Sequence, residues 1–176
     1  MARKRYLIIG DGAAGMTAAQ TLRAQDSNAR IAIVSDDPHP GYFRAALTNY
    51  LLGELREDQL WAVPADFYQS ARISRVFCRV VGVDTARAQV WEASGSTPIP
   101  YDALLLASGA RPRTADFPGN HLRGVQTMRT IVDVRAITEL LAYHSVRAAV
   151  VLGGGPLGLE WAHGCLLYTS PSPRDS

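Results

Sequence analysis

Twice in this chain a short apolar run stops at a glycine-rich loop that opens a helical segment. The first is Arg5–Ile9, then Gly10-Asp11-Gly12-Ala13-Ala14-Gly15, then Met16 to Ala24, rich in Ala, Leu, Gln and Arg. The second is Val146 to Leu152, then Gly153-Gly154-Gly155-Pro156-Leu157-Gly158, then a helix start at Leu159-Glu160-Trp161-Ala162. Apolar runs of this length suit strands buried on both faces of a parallel sheet. Ile31 to Val34 is a further such run, ending at Ser35-Asp36-Asp37. Together with the first loop it makes a β-α-β unit of about 30 residues.

A lone G-x-G-x-x-G is a weak signal. Placed directly after a buried strand and at the start of a helix, it has the context that gives it meaning. Gly10 permits a tight turn out of the strand. Gly12 has no Cβ, so a pyrophosphate can approach the backbone, and Gly15 lets helix and strand pack closely. A phosphate there meets free N–H groups and the positive end of the helix dipole. Asp36 and Asp37 stand where an acid for an adenosine ribose belongs, about 20 residues on, with Asp36 slightly preferred. The glycines Gly153, Gly155 and Gly158 suit a second dinucleotide, although no second strand or ribose acid follows them.

Elsewhere the chain alternates short elements. Ala45 to Leu52 reads as a helix, and Arg56 to Ser70 as short helical pieces broken at Pro64. Val76 to Val83 and Ala88 to Trp91 carry β-branched and aromatic residues and read as a small antiparallel sheet, with Ser94-Gly95-Ser96 as a turn. Tyr101 to Ala107 is expected to be a buried strand stopped by Ser108-Gly109, Pro112 to Gly124 a connection, and Ile131 to Tyr143 a helix. Strands alternating with helices imply an α/β fold with a mostly parallel sheet.

Composition removes several classes. With 47% hydrophobic and 19% charged residues the chain is neither disordered nor fibrous. No apolar run approaches the roughly 20 residues of a membrane helix. Arg3-Lys4-Arg5 is followed too soon by Gly10 for a secretory signal, so a cytoplasmic location is expected. The two cysteines, Cys78 and Cys165, and the four histidines lack metal or redox spacing, so no metal is expected. Lys4 is the only lysine, and the arginines are spread evenly, which is no nucleic-acid footprint. Cys78 reads as a small buried hydrophobe, and Tyr42, Phe43, Trp61 and Phe67 read as core aromatics.

Two glycine loops with Tyr101-Asp102-Ala103-Leu104-Leu105-Leu106-Ala107-Ser108-Gly109 between them resemble the two-dinucleotide-binding-domain flavoproteins. The resemblance runs from about Arg5 to Gly164. It implies a Rossmann-like FAD-binding domain with a parallel sheet and a small antiparallel β insert, then the beginning of a second Rossmann-like domain for NAD(P)H. Ala107-Ser108-Gly109 resembles the family's second flavin motif, with Ser in place of the usual Thr. Within the family, Val34 to Pro38 followed by Tyr42-Phe43-Arg44 is similar to NAD(P)H-dependent reductases of the rubredoxin, ferredoxin and nitrite reductase type. Met128-Arg129-Thr130 followed by Asp133 is similar to the same group.

Carried over residue by residue, this resemblance assigns Gly10, Gly12, Ala13, Ala14, Gly15, Asp36, Asp37, Arg44, Val80, Ala107, Ser108, Gly109 and Arg129 to FAD. It assigns Gly153, Gly155, Pro156, Leu157, Gly158 and Glu160 to the nicotinamide side. Arg44 would meet the adenosine diphosphate, Arg129 the flavin, the Val80 backbone the adenine edge, and Glu160 the nicotinamide–flavin junction. No catalytic side chain is implied. Tyr42 to Leu52 holds no cysteine, so electrons would leave the flavin without a redox disulfide. The acceptor would be rubredoxin, ferredoxin, a nitrite-reducing module or oxygen. Asn49 stands where relatives carry a lysine. The alternative is a non-catalytic FAD/NAD(P)-binding module.

Residues 1–118 are expected to form the FAD-binding part and 119–164 the start of the NAD(P) domain. From Cys165 on, Cys165-Leu166-Leu167-Tyr168-Thr169-Ser170-Pro171-Ser172-Pro173-Arg174-Asp175 resembles a translated sequencing adaptor, to be left out of fold reasoning. A chain of 176 residues is too short for two complete dinucleotide-binding domains and a third. The expectation is a piece of a longer enzyme that is inactive alone, is poorly held after about Arg147, and binds FAD weakly or not at all.

Overall fold

The computed structural model describes residues 3–95, 97–144, 146 and 148–169, with side chains described as far as Gly164. It divides into two compact units. Unit 1 holds residues up to Phe43 and Trp61–Ala110, and unit 2 holds Arg44–Leu60 and the residues from Arg111 on.

Unit 1 is built on a four-stranded parallel sheet. Its strands are β1 (Arg5–Ile9), β2 (Arg30–Ser35), β3 (Ile73–Phe77) and β7 (Ala103–Leu106), in the order β3-β2-β1-β7. Residue-by-residue register runs Tyr6 beside Ile31 and Ala103, and Ile9 beside Val34 and Leu106. The period of two along each strand sends side chains to opposite faces. Ile8, Ile31, Ile33 and Ile73 face Met16 and Ala19 of helix α1 (Ala13–Gln25) and Phe67 of the short helix α3 (Phe67–Ser70). Leu7 and Val34 face the other way, onto Val90 and Tyr101. Val90 belongs to a small antiparallel sheet of β4 (Val80–Asp84), β5 (Gln89–Glu92) and β6 (Ile99–Pro100). Both sides of β1 and β2 are therefore covered, which explains why their sequences are continuously apolar.

The α/β class with a parallel sheet and an antiparallel insert is the one expected. Two strand expectations are corrected. The run Val76 to Val83 is not one strand of the small sheet. Its first part pairs with β2 as β3, Cys78 N–H donates to Ser35 O at 3.0 Å, and only Val80–Asp84 pairs with β5. Tyr101 to Ala107 is not buried throughout. β7 is at the edge of the sheet, with no strand beyond it among the described residues, so Leu106 remains 65% exposed.

Arg23, late in α1, organises the opposite end of the sheet. Its guanidinium donates to the carbonyls of Asp26, Ser27, Ala29, Ala71 and Arg72 at 2.8–3.2 Å. One side chain thus ties the α1–β2 turn to the turn before β3. The fork geometry of arginine suits it to several acceptors at once.

In unit 2, the 3-10 turn Arg44–Ala46 leads into α2 (Leu47–Leu51), and α4 (Ile131–Tyr143) and α5 (Pro156–Thr169) follow later in the chain. Leu47, Leu51, Leu60, Met128, Ile131, Val134 and Ile137 are buried. The α4 members recur every three residues, one face of a helix. Thr130 caps α4: its Oγ1 accepts from Asp133 N–H at 3.2 Å, and Asp133 Oδ2 accepts from Thr130 N–H at 2.8 Å. Arg135 pairs with Glu57 at 2.7 Å.

The expected strand Val146 to Leu152 is absent among its described residues; Arg147 lies outside them. Val150 is 85% and Leu152 69% exposed. The reason is that a strand needs a hydrogen-bonded neighbour, and the described part of unit 2 contains none. The helix after the second loop starts at Pro156, earlier than Leu159, and its backbone runs on to Thr169. Of the proposed non-native tail, Ser170 to Ser176 lies outside the described residues, as does Ser96 of the expected turn.

Candidate functional site

The C-terminal ends of parallel strands are where open α/β sheets bind ligands. In unit 1 the chain leaves β1 at Gly10 with φ +112°, a conformation that side-chain-bearing residues rarely adopt. Gly10 N–H donates to Val34 O at 2.8 Å, which fixes the turn against the end of β2. A Cβ at Gly10 would lie 2.2 Å from Ala107 O and 3.0 Å from Ser108 N. The segment leaving β7 is thus seated directly against the bare Cα of Gly10. A Cβ at Gly15 would lie 2.0 Å from Gly10 O, so the first turn of α1 rests on the same peptide.

Gly12 is different. It is the N-cap of α1, at φ −89° and ψ −174°, and a Cβ there would meet nothing within 4 Å. No side chain caps this helix, and its first turn has no acidic residue. Ala13 and Ala14 are small and exposed. A cradle that a Cβ would fill, over an uncapped helix N-terminus, fits the diphosphate of a dinucleotide.

Two acids follow β2. Asp37 is largely buried and its carboxylate is used locally: it accepts from Tyr42 Oη at 2.8 Å and from His39 N–H at 3.1 Å. Asp36 is exposed. Val80 opens β4, half-buried beside Val34 and Val76. Ser108 and Gly109 complete the turn after β7, with Gly109 at φ +66°. Gly10 to Gly15, Asp36 and Asp37, and Ala107 to Gly109 therefore all sit on one edge of one sheet.

Asp11 was not singled out by the sequence reading. Its carboxylate turns inward, only 2% exposed, and meets Arg75 Nε at 2.6 Å while Tyr68 Oη donates to it at 3.0 Å. Burial pushes its carboxyl above the ordinary value, opposed by Arg75 and Tyr68. Tyr68 is itself pushed up to about 12, chiefly by burial. An acid between two phosphate-loop glycines is a signal that a cation must be near, but sequence alone does not say which arginine.

In unit 2 the second loop repeats the local geometry of the first. Gly153 has φ +125°, a Cβ at Gly155 would meet nothing within 4 Å, and a Cβ at Gly158 would lie 2.0 Å from Gly153 O. Pro156 is the first residue of α5, where a missing N–H costs nothing. Leu157 is exposed. Arg44 Nη1 donates to Arg129 O at 2.9 Å, so these two residues, expected at the adenosine diphosphate and at the flavin of FAD, are neighbours. Glu160 reaches Thr48 Oγ1 at 3.5 Å, at the limit of a hydrogen bond. Asn49 donates to Glu54 at 2.7 Å.

Of the aromatics read as core, Tyr42 and Phe67 are buried, whereas Trp61 is half-buried and Phe43 is 54% exposed. Cys78 is half-buried, and burial and Glu92 push its thiol up, which disfavours a reactive thiolate. Among the described residues no three His, Cys, Asp or Glu side chains gather as a metal site. No helix among them is long and apolar enough to cross a membrane.

Known proteins share this arrangement. The model of the pyridine nucleotide-disulphide oxidoreductase family matches residues 4–165. The ferredoxin reductase component of chlorobenzene dioxygenase from a Cupriavidus species is 36% identical over 155 residues, or 88% of this chain and 37% of that protein. Rhodocoxin reductase of Rhodococcus erythropolis is 36% identical over 157 residues, 89% of this chain and 36% of its own length. Among solved structures, a ferredoxin reductase from Rhodopseudomonas palustris matches with a TM-score of 0.83 at 34% identity, covering 91% of this chain and 39% of that one. The chain thus spans well under half the length of the relatives it matches.

Proposed function

This chain belongs to the pyridine nucleotide-disulphide oxidoreductase family, and from that premise we propose that it is the FAD-binding part of an NAD(P)H oxidoreductase. The chemistry supplied by bound FAD is acceptance of a hydride from a reduced nicotinamide and release of electrons to an acceptor. Everything the chain itself contributes is placement. Gly10, Gly12, Ala13, Ala14 and Gly15 would hold the diphosphate, and the uncapped turn of α1 would offer it N–H groups. Asp36 or Asp37 would take the adenosine ribose, with the more exposed Asp36 preferred. Val80 would border the adenine, and Ala107 to Gly109 would extend the cradle that Gly10 adjoins. Arg44 and Arg129 are proposed as further FAD contacts. Gly153, Gly155, Pro156, Leu157, Gly158 and Glu160 would serve the nicotinamide dinucleotide.

The observation that carries this reading is the pairing of a Cβ-intolerant Gly10 with an open Gly12 at the same helix start. The acceptor is proposed to be a protein such as a ferredoxin or rubredoxin, or a nitrite-reducing module, in line with relatives named as ferredoxin and rhodocoxin reductases. Tyr42 to Leu52 holds no cysteine, so the path is proposed to lack a redox disulfide. A cytoplasmic location, a division at 118/119 between FAD and NAD(P) parts, and a non-native origin for residues 165–176 belong to the same proposal. So does inactivity of the 176-residue chain by itself.

Anaerobic mixing of the complete gene product with NADH or NADPH tests the enzyme reading. Bleaching of the flavin absorbance supports it. Tight flavin binding without bleaching by either nucleotide favours a non-catalytic binding module.

A further inference from the structure

An aspartate between the two leading glycines of a phosphate-binding turn is unexpected on electrostatic grounds. A carboxylate there faces the same few ångströms of space that a diphosphate must enter, and like charges at short range repel. In this chain the side chain of Asp11 points the other way, into unit 1, and is matched there by the Arg75 guanidinium at 2.6 Å and the Tyr68 hydroxyl at 3.0 Å. The backbone of the turn is left to the ligand.

Both partners of Asp11 also hold the loop after β2. Arg75 Nη2 donates to Asp37 O at 2.7 Å and to His39 O. Tyr68 Oη accepts from Gly41 N–H at 2.9 Å. Asp37 in turn binds His39 N–H and Tyr42 Oη, which closes the loop on itself. Arg75 rises from β3 and lies over the Tyr68 ring at 5.8 Å, so the two partners also pack on each other. The result is a continuous path of hydrogen bonds from the phosphate-binding turn to residues 37–41, immediately after Asp36.

We propose that Asp11 is a positioning residue: through Arg75 and Tyr68 it locks the 37–41 loop to the Gly10–Gly15 turn, so that the diphosphate and ribose subsites are set as one unit. This rests on the reading that the edge of unit 1 takes the adenosine diphosphate half of FAD. Arg75 can play its part because a planar fork reaches four acceptors in two segments, Asp11 and the carbonyls of Asp37, Pro38 and His39; a lysine ammonium cannot reproduce that geometry.

The test compares two probes, ADP and inorganic pyrophosphate, on the flavin-free complete gene product (the parent chain) by amide chemical-shift titration. Asp11→Asn removes a negative charge beside the turn, so pyrophosphate affinity is expected to hold or rise. ADP affinity is expected to fall about tenfold, the scale of one charge-assisted hydrogen bond. The ratio of the two affinities is the readout that a merely structural salt bridge would not move. Tyr68→Phe keeps the ring and removes only the hydroxyl, and the ratio is expected to move the same way, less far. An unchanged ratio in folded Asp11→Asn and Tyr68→Phe overturns the proposal while ADP binding by the parent chain leaves the dinucleotide reading standing. If Asp11→Asn does not fold, Tyr68→Phe decides alone: a shifted ratio supports the proposal and an unchanged one overturns it. If the parent chain binds neither probe at millimolar concentration, the dinucleotide reading fails and the proposal fails with it.

Discussion

Replacing Gly10 by alanine is the perturbation whose cost the structure fixes most closely. The added Cβ would lie 2.2 Å from Ala107 O and 2.6 Å from Ala107 C, both backbone atoms. Reaching an ordinary contact of 3.4 Å requires the Ala107 carbonyl to retreat by about 1.2 Å. Ala107 N–H is bonded to Ile9 O at 2.8 Å, and a shift of that size breaks the bond at the end of the β1–β7 ladder. Losing such a bond costs about 0.5–1.5 kcal/mol. Holding a side-chain-bearing residue at φ +112° costs roughly 1–3 kcal/mol more. Overpacking against backbone adds about 1–3 kcal/mol. Gly10→Ala is therefore expected to lower stability by about 2.5–7.5 kcal/mol, a large part of the roughly 5–15 kcal/mol that holds a typical domain. Urea unfolding, read at unchanged m-value, measures it directly. A Gly10→Ala midpoint within error of the parent chain refutes the argument, because it would mean that Ala107 does not sit against Gly10.

The same loop supplies a contrasting variant. Gly12→Ala has an ordinary φ and an open site, so its stability should stay within about 0.5 kcal/mol of the parent, while ADP affinity in a titration drops tenfold or more as the methyl occupies the diphosphate cradle. Arg23→Met strips the shared donor from five carbonyls and is expected to cost about 2–4 kcal/mol in urea unfolding, with ADP affinity per folded molecule unchanged. Asp102, held down to about 2 by its hydrogen bonds from the Arg5 side chain and backbone, is depressed relative to its ordinary 3.8. Its contribution is therefore present above about pH 4 and is lost as pH falls toward 2. Asp102→Asn should flatten the acid limb of a stability–pH profile in that window and leave the slope above it unchanged.

What was legible in the sequence was whatever short-range physics decides. The β1–loop–α1–β2 unit shows because two-sided burial makes continuous apolar runs and because only glycine tolerates the turn. The bounds of α4 were read as Ile131 to Tyr143 and are found there, since Thr130 and Asp133 form a capping box next to a helical apolar repeat. The run Val76 to Val83 was not legible as two strands. β-branched residues lie on both sides of Cys78 and Arg79, and the break depends on whether β2 or β5 lies alongside. Val146 to Leu152 has strand composition but, among the described residues, no strand to pair with, so composition misled. At the candidate site, the glycines announced themselves, whereas the internal use of Asp37 by Tyr42 and the capture of Asp11 by Arg75 depend on the folded loop. Asp11 and Arg75 are 64 residues apart, and nothing in a single sequence selects that arginine from the others.

The central claim is that the Gly10–Gly15 turn of this chain receives the diphosphate of an adenine dinucleotide. The most direct measurement is an amide-resolved titration of the flavin-free complete gene product with ADP. The account predicts saturable shifts concentrated at Gly12 to Gly15, Asp36 and Ser108–Gly109, with little change at the Arg23 end of the sheet. Saturation with the largest shifts away from the glycine turn, or no shifts at millimolar ADP, would contradict it.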